Sequence, residues 1–218
     1  MSDVWKKVKK FFGKFWFLLW KDNSFKGWVL SLIIIFVFIR FVFFPILNLA
    51  TGTSLPLAIV ESCSMYHSGN VFSDFSTWWQ NHDAKYSPLG FNKTDFSQFS
   101  FSNGFSKGDI LFIVGVSPKN VKIGDIIIFN AGQQAPVIHR VINITKSGDE
   151  YSFSTMGDNN NGQLVFEQKI NQNQLVGKAV FRIAPYLGWA KLIFFEYQKP
   201  APQRGVCHEC PYPQICGA

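Results

Sequence analysis

Two short runs of β-branched and aromatic residues decide the fold: Asp125-Ile-Ile-Ile-Phe129 and Val137-Ile-His-Arg-Val-Ile142. Four further runs of the same character accompany them, namely Leu57–Val60, Asp109–Val114, Tyr151–Thr155 and Gln174–Ile183. Short runs rich in Val, Ile and Phe and bounded by Gly, Asp and Asn are typical of strands. The sequence therefore predicts a mainly β domain built from antiparallel strands.

The positive charge of the chain is concentrated at its N-terminus. The 218 residues carry a formal charge of +7, and residues 1–26 hold seven lysines against two aspartates. From residue 49 onward, 13 basic side chains face 12 acidic ones, so the body of the chain is nearly neutral. This distribution does not indicate a nucleic-acid partner. Clustered lysines next to an apolar segment favour contact with an anionic lipid bilayer.

Residues 27–49 read as a transmembrane anchor. The stretch is almost wholly apolar, and about 20 such residues are needed to cross a hydrocarbon core. Arg40 is the exception, near the far end, from where its side chain can reach the interface. A cleaved signal peptide with a processing site at residues 49–52 is the alternative, but the apolar stretch is long for one and begins late. The lysine bias predicts a single-pass protein of the cell membrane, with its N-terminus cytoplasmic and residues 50–218 outside.

Residues 1–26 predict a basic amphipathic helix. Its apolar residues recur at helical spacing: Trp5, Val8, Phe11, Phe12, Phe15, Leu18 and Leu19. Lys6, Lys10 and Lys14 lie on another face of the same helix. Such a helix is expected in the membrane surface on the cytoplasmic side, and a helix packed on a partner protein is the alternative.

The part outside the membrane is predicted to be a β domain over residues 50–199, interrupted by an insert at 66–106. The insert is rich in Ser and Asn, but it holds too many aromatic residues for a disordered linker. It is expected to form an ordered cap whose rings lie near lipid headgroups, or a peripheral insertion with a small core of its own. Residues 200–218 form a Pro- and Cys-rich tail.

Four residues are candidates for an acyl-transfer site. A serine hydroxyl attacks efficiently only when a base removes its proton, and a carboxylate commonly orients that base. Ser64 is the candidate nucleophile, His139 the candidate base and Asp158 the candidate carboxylate. Ser62 lies two residues before Ser64, on the same face of an extended segment, and is the candidate oxyanion donor. Other histidines compete with His139 for the role of base, namely His67, His82 and His208.

The order of five segments resembles the conserved boxes of type I signal peptidases. They are Ser62-Cys-Ser-Met65, Lys107-Gly-Asp-Ile110, Ile123-Gly-Asp-Ile126, Ile138-His-Arg-Val141 and Met156-Gly-Asp-Asn-Asn160. Single Gly-Asp pairs carry little information, but the full set in this order is specific. Because a histidine stands at position 139, where bacterial members usually have lysine, the chain is similar to the archaeal and endoplasmic-reticulum type.

This resemblance implies a mainly β serine endopeptidase that removes signal peptides from secretory preproteins outside the membrane. It gives Ser64, His139 and Ser62 the roles of nucleophile, base and oxyanion donor. The implied partners are signal peptides, the lipid bilayer and further membrane subunits. No metal or other cofactor is expected at the site.

The chain departs from the family pattern in three places. Tyr66-His67 follows Met65 where the family commonly has proline, and the insert separates Ser64 from Gly108. The aspartates usual after Gly-Asp-Asn are replaced by Asn161–Leu164. Asp158 therefore either orients His139 or only holds a turn, since Asp and Asn after Gly are also ordinary turn residues. Glu167 is the weaker substitute.

The cysteines leave two interpretations open. Cys207, Cys210 and Cys216 predict one disulfide within the tail, and a zinc site is the alternative. Cys63, beside the candidate nucleophile, is expected to be a small buried residue.

Two other functions stay open at the level of sequence. One is a membrane-anchored binding module that keeps the fold without catalysis. The other is a protease of narrower purpose, which cleaves itself or pilin-type substrates.

Overall fold

The computed structural model of the chain describes residues 2–21, 24–68 and 75–208. The chain divides into two compact units, one up to residue 50 and one from Thr51 onward. The tail cysteines Cys210 and Cys216 lie outside the described residues.

The N-terminal unit is helical. Helix α1 spans Ser2–Trp20, and a second helical run covers Phe25–Thr51. The run consists of α2 (Phe25–Phe38), a π-helical turn (Ile39–Phe43) and α3 (Phe44–Thr51). The 27 residues of this run are long and apolar enough to cross a membrane, as expected for the anchor.

The π-helical turn ends two residues before Pro45, and the proline explains its position. A proline ring clashes with the carbonyl four residues earlier in a regular α-helix. Here the N–H of Phe44 donates to the carbonyl of Ile39, five residues back. The widened turn thus accommodates the proline without ending the helix.

Helix α1 forms over the segment for which the sequence predicts a basic amphipathic helix. Trp5 and Phe12 are exposed in this unit, whereas the side chains of Phe11, Leu18 and Leu19 are outside the described part. Its place in the membrane surface stays a prediction.

The second unit is built on one curled antiparallel sheet of seven strands, in the order β1-β2-β7-β3-β4-β5-β6. The strands are β1 (Leu57–Ile59), β2 (Ile110–Val114), β3 (Ile126–Phe129), β4 (Val137–Ser147), β5 (Glu150–Met156), β6 (Ile170–Asn171) and β7 (Leu175–Ala184). Every neighbouring pair is antiparallel. The prediction of a mainly β domain is confirmed.

Strand β3 explains why its sequence is apolar without alternation. Ile126 and Ile128 pack into one cluster of buried side chains, while Ile127 and Phe129 pack into another. Successive side chains of a strand point to opposite faces. Both faces of this central strand are therefore buried, which requires apolar residues at every position.

The two Gly-Asp-Ile segments, at residues 108–110 and 124–126, contain turns that begin strands β2 and β3. Each glycine has a positive φ, 91° and 87°, before Asp109 and Asp125 respectively. Each aspartate accepts a hydrogen bond from the peptide N–H three residues earlier, at 2.8 and 2.9 Å. Each also pairs with a basic side chain of β7, Arg182 for Asp109 and Lys178 for Asp125. These carboxylates therefore fix turns and strand positions.

The described part of the insert is helical. Helix α4 spans Phe75–Tyr86 and α5 spans Lys93–Ser97. Within the described residues, the other helical segments are α6 (Trp189–Leu192) and 3₁₀ turns at Ser87–Leu89, Pro118–Asn120, Val165–Glu167, Gln172–Gln174, Glu196–Gln198 and Ala201–Gln203.

Most rings of the described insert form one cluster with two side chains of the sheet, whereas Phe101 and Phe105 pack in another. The cluster contains Trp78, Trp79, Tyr86 and Phe96, together with Ile142 of β4 and Met156 of β5. The insert thus has a small core, and it shares that core with the sheet. Contact between its rings and lipid headgroups stays a prediction.

Replacing Phe96 by alanine should destabilise the protein strongly. Phe96 is 0% exposed and contacts the rings of Trp78, Trp79 and Tyr86. Loss of a fully buried phenylalanine typically costs about 3–5 kcal/mol. Denaturant unfolding in detergent measures the loss, with Leu89→Ala, an exposed position in the same insert, as the control. Equal stability of the two variants would contradict this role of the cluster.

Candidate active site

Ser64 and His139 meet in the second unit. Ser64 follows β1, and His139 lies on β4 opposite Ile127 of β3. The Ser64 Oγ lies 2.8 Å from the His139 Nε2. The two residues are only 2% and 3% exposed, so little water competes for this hydrogen bond. The geometry is that of a nucleophile within proton-transfer reach of a base.

Ser62 lies beside the serine hydroxyl. Its Oγ is 3.0 Å from the Oγ of Ser64. Residues 62–65 form bends and a turn rather than the extended segment that the sequence predicts, yet the two hydroxyls lie side by side. The structure thus brings together three of the four predicted site residues: Ser62, Ser64 and His139.

Glu167 holds the other side of the imidazole. Its Oε1 forms a hydrogen bond with the Nδ1 of His139. The same oxygen accepts from Thr155 Oγ1 at 3.1 Å, and Oε2 accepts from the N–H of Leu164 at 2.9 Å. Glu167 is fully buried, in the 3₁₀ turn Val165–Glu167. Both of its oxygens are therefore fixed by neighbours that leave the carboxylate little freedom to turn.

Asp158 lies in a different group of contacts. Its carboxylate accepts from Tyr86 Oη at 2.8 Å, from His67 Nε2 at 2.9 Å and from Arg140 Nη2 at 2.6 Å. Burial alone would raise the pKa of Asp158, but the charge of Arg140 and these hydrogen bonds outweigh burial and hold it well below its usual range. Asp158 is thus an ionised carboxylate paired with Arg140, and the structure does not bring it to His139.

His67 is the other buried histidine of this unit, and it is the partner of Asp158. Its ring stacks on Trp78 with centroids 3.6 Å apart, and it is fully buried. Burial lowers the pKa of His67 to about 4, although the hydrogen bond and charge of Asp158 act in the opposite direction. His67 is therefore neutral at pH 7 and donates its Nε2–H to the aspartate.

The contacts around His139 determine the direction of each proton. A carboxylate at Nδ1 requires that nitrogen to carry the hydrogen, so Nε2 is left as an acceptor. The Ser64 hydroxyl then donates to Nε2, and the Ser62 hydroxyl can donate to the Ser64 Oγ. This is the polarity that general-base activation of a serine needs.

A cleft of about 690 Å³ opens beside the serine. One wall is the segment from Leu55 to Ser64, which includes β1, and the other is the segment from Gln133 to His139 that leads into β4. Leu164 and Phe166, next to Glu167 in sequence, also line it. The lining is mostly apolar and also includes polar residues, among them Ser62, Ser64 and His139, as is common for binding clefts.

Cys63 and Cys207 form a disulfide across 144 residues. This corrects the expectation that Cys207 pairs within the tail or binds zinc and that Cys63 is a free buried residue. The bond ties the C-terminal segment to the residue before Ser64. Asn159 strengthens the junction, because its Nδ2 donates to the carbonyls of Cys63 and His208 at 2.9 and 3.1 Å.

Together, the curled antiparallel sheet and the hydrogen-bonded serine, histidine and glutamate define a class: β proteins with the geometry of a serine hydrolase site. Sequence comparison narrows the class. The chain is 33% identical over 106 residues to the signal peptidase complex catalytic subunit SEC11C of Homo sapiens. It is 29% identical over 104 residues to the subunit SEC11 of Colletotrichum graminicola and 28% identical over 112 residues to that of Neurospora crassa.

These similarities cover 45–46% of this chain. The chain spans 55–60% of the length of the relatives that it matches. No family model matches it. The resemblance to signal peptidases of the endoplasmic-reticulum type is confirmed by these relatives.

The low pKa of His67 predicts that stability falls on mild acidification. An unfolded histidine takes up a proton near pH 6.5, whereas folded His67 does so only near pH 4. Between these values the unfolded state binds more protons, so the free energy of unfolding should drop by about 3 kcal/mol as the pH falls from 6.5 to 4. Denaturant unfolding across this range measures the slope.

His67→Gln should flatten that slope, and His208→Gln, at an exposed position, should leave it unchanged. An unaltered slope in the His67 variant would assign the pH dependence to other groups.

Proposed function

We propose that this protein is a membrane-anchored serine endopeptidase that removes signal peptides from secretory preproteins. The observation that carries the proposal is the 2.8 Å hydrogen bond between Ser64 Oγ and His139 Nε2, with Glu167 on the opposite nitrogen. The similarity to catalytic subunits of the signal peptidase complex supports the substrate class.

In the first step, Ser64 Oγ attacks the carbonyl carbon of the scissile peptide bond while His139 Nε2 takes its proton. Glu167 stabilises the resulting imidazolium and keeps its ring oriented. The negative charge on the substrate oxygen is met by the Ser62 hydroxyl, which lies 3.0 Å from the Ser64 Oγ. Such donors are worth about 3–4 kcal/mol each in related chemistry.

In the second step, the tetrahedral intermediate collapses. His139 gives its proton to the leaving amine, the peptide C–N bond breaks, and an ester joins the signal peptide to Ser64. Water then loses a proton to His139 and attacks the ester carbonyl. Return of that proton to Ser64 Oγ releases the signal peptide with a new carboxylate, and the enzyme is restored.

The cleft suits an extended peptide. Strand β1 is the terminal strand of the sheet and pairs with β2 on one side. A substrate segment that lies along the cleft wall formed by β1 can use backbone hydrogen bonds, with its small side chains in shallow apolar recesses. The scissile bond would then reach Ser64 at the end of this wall.

An apolar helix in the membrane would hold the enzyme in the same bilayer as its substrates. Signal peptides are themselves inserted in the bilayer, so a tethered enzyme meets them at high effective concentration. We propose a single-pass arrangement in the cell membrane, with the N-terminus cytoplasmic and the catalytic domain outside, from the lysine bias near the N-terminus. The matched relatives are named as subunits of a complex, which favours further membrane subunits as partners here.

Replacing the serine tests catalysis directly. Ser64→Ala and His139→Ala should each abolish cleavage of a reconstituted preprotein, because neither variant can form the acyl-enzyme with base assistance. Ser54→Ala, before β1, is the matched control and should cleave as the wild type does. Mapping the cleaved bond in several secretory preproteins checks the substrate class.

Equal processing by wild type and Ser64→Ala would favour the non-catalytic binding module. Cleavage confined to the chain itself or to pilin-type substrates would favour the narrower protease.

The two carboxylates are distinguished by their effect on the imidazole. Glu167→Gln should lower kcat by about 10²–10⁴-fold, because the group that holds the Nδ1–H and stabilises the imidazolium is lost. In nitrogen-15 NMR of labelled histidine, the Nδ1–H signal of His139 should shift in Glu167→Gln and persist in Asp158→Asn. If the Nδ1–H signal of His139 shifted in Asp158→Asn but not in Glu167→Gln, Asp158 and not Glu167 would be the residue that orients the imidazole.

A further inference from the structure

The turn Gly157–Asn160 contacts the peptide groups on both sides of the nucleophile. The N–H of Asn159 donates to the carbonyl of Ser64 at 2.7 Å, and its side-chain Nδ2 donates to the carbonyl of Cys63 at 2.9 Å. A Cβ at Gly157 would lie 2.9 Å from the Ser64 carbonyl oxygen, so only glycine permits this approach. The position of this turn therefore sets the position of the Ser64 backbone.

Helix α4 of the insert holds the same turn from the other side. Lys85 Nζ donates to the carbonyl of Asn160 at 3.0 Å and also to the carbonyl of Asp158. Tyr86 Oη donates to the Asp158 carboxylate at 2.8 Å. Two consecutive residues of one helix thus bind both the backbone and the side chain of the turn.

The ring of Tyr86, which makes one of these contacts, is held in place by tight packing. Tyr86 is fully buried, and its ring packs against Phe96 at 4.7 Å and against Trp79 at 5.9 Å between centroids. A hydroxyl on a ring so enclosed cannot follow the turn if the turn moves. Hydrogen bonds to a charged group, such as those of Lys85 and of the Asp158 carboxylate, are about twice as strong as neutral ones.

The insert also holds the residues that follow Ser64 in sequence. His67, three residues after Ser64, stacks on Trp78 of α4 and donates to Asp158. The nucleophile segment is therefore attached to α4 through His67 as well as through the turn.

We propose that Lys85 and Tyr86 are positioning residues for Ser64, so that helix α4 acts as a brace that keeps the serine within reach of His139. They touch no reacting atom and act through the Gly157–Asn160 turn. The inference rests on the proposed peptidase function. It gives the insert a role in catalysis rather than only in packing.

Processing of a preprotein by the reconstituted full chain tests the brace. Lys85→Met and Tyr86→Phe should each lower kcat about tenfold or more with KM changed by less than about twofold, since misplacement of a catalytic group by about 1 Å can cost 10²-fold. Lys93→Met is the matched control, because Lys93 bonds Ser76 within the insert and is exposed. It should retain wild-type kcat.

A pH profile separates positioning from packing. Burial lowers the pKa of Lys85 to about 8, with the charge of Asp158 in partial opposition. Four ionisable groups of the cluster around Asp158 keep their charge states between pH 7 and 9. Asp158 stays ionised, His67 stays neutral, the pKa of Tyr86 is well above its ordinary value and that of Arg140 is raised. Loss of the Lys85 charge should therefore lower kcat above about pH 8.

Lys85→Arg keeps a charged donor and should lose this alkaline decline in kcat. If Lys85→Met fails to fold, Tyr86→Phe and the profile of Lys85→Arg still decide the matter. Wild-type kcat in both Lys85→Met and Tyr86→Phe, or an equal fall in Lys93→Met, would overturn the brace while leaving the peptidase function intact. A wild type that processes no preprotein would instead overturn the proposed function and the inference with it.

Discussion

The second unit depends on the buried ion pair between Arg140 and Asp158, and on the other hydrogen bonds of the Arg140 guanidinium. Its Nε and Nη2 donate to the Asp158 carboxylate, at 2.9 and 2.6 Å, and Nη1 donates to the carbonyls of Ser100 and Gly124, at 2.7 and 3.0 Å. Nη2 also reaches the carbonyl of Phe101 at 3.0 Å. One side chain thus connects β4, the turn after β5, the turn before β3 and the end of the insert. Removing one partner of such a buried pair typically costs about 3–5 kcal/mol.

This arrangement links the site to the fold through one strand. His139 and Arg140 are consecutive in β4, so one side chain reaches Ser64 while the next anchors Asp158. The strand that supplies the imidazole is thereby held at the same point by the ion pair. The backbone at Ser64 is connected to that ion pair through Asn159, the neighbour of Asp158. The ion pair that stabilises the fold is therefore only one residue away in sequence from groups that position Ser64 and His139.

Six of the seven strands were predictable because their apolar runs are local signals. Strand β6, of only two residues, was not predicted, and β4 continues five residues beyond the predicted end at Ile142. The bounds of β2, β3 and β5 differ from the predicted ones by a residue, since Gly, Asp and Asn punctuate them. The helices α4 and α5 were not predicted, because Ser, Asn and aromatic residues dominate that segment and its helicity comes from packing on the sheet. Residue-level reasoning together with the ordered motifs singled out Ser62, Ser64 and His139.

The choice between Asp158 and Glu167 was not decidable from the sequence. Asp158 stands in the recognised motif, but its partners Tyr86 and His67 belong to the insert, and no local pattern shows where the insert folds back. Glu167 has a local signal, since its carboxylate caps its own 3₁₀ turn through the N–H of Leu164. Its distance to His139 depends on the path of the chain after β5. The pairing of Cys63 with Cys207 is equally non-local, because spacing within the tail carries no information about a partner 144 residues away.

That long covalent link also changes what a break in the polypeptide would do. The two bonded sulfur atoms enclose the insert and most of the sheet within one loop of the chain. A single cut anywhere in that loop, for instance in an exposed connection of the insert, leaves the two fragments joined through their sulfur atoms. After a cut in the insert, the fragment that carries Ser64 stays covalently linked to the fragment that carries His139. The link is lost only after a reductant has opened the disulfide.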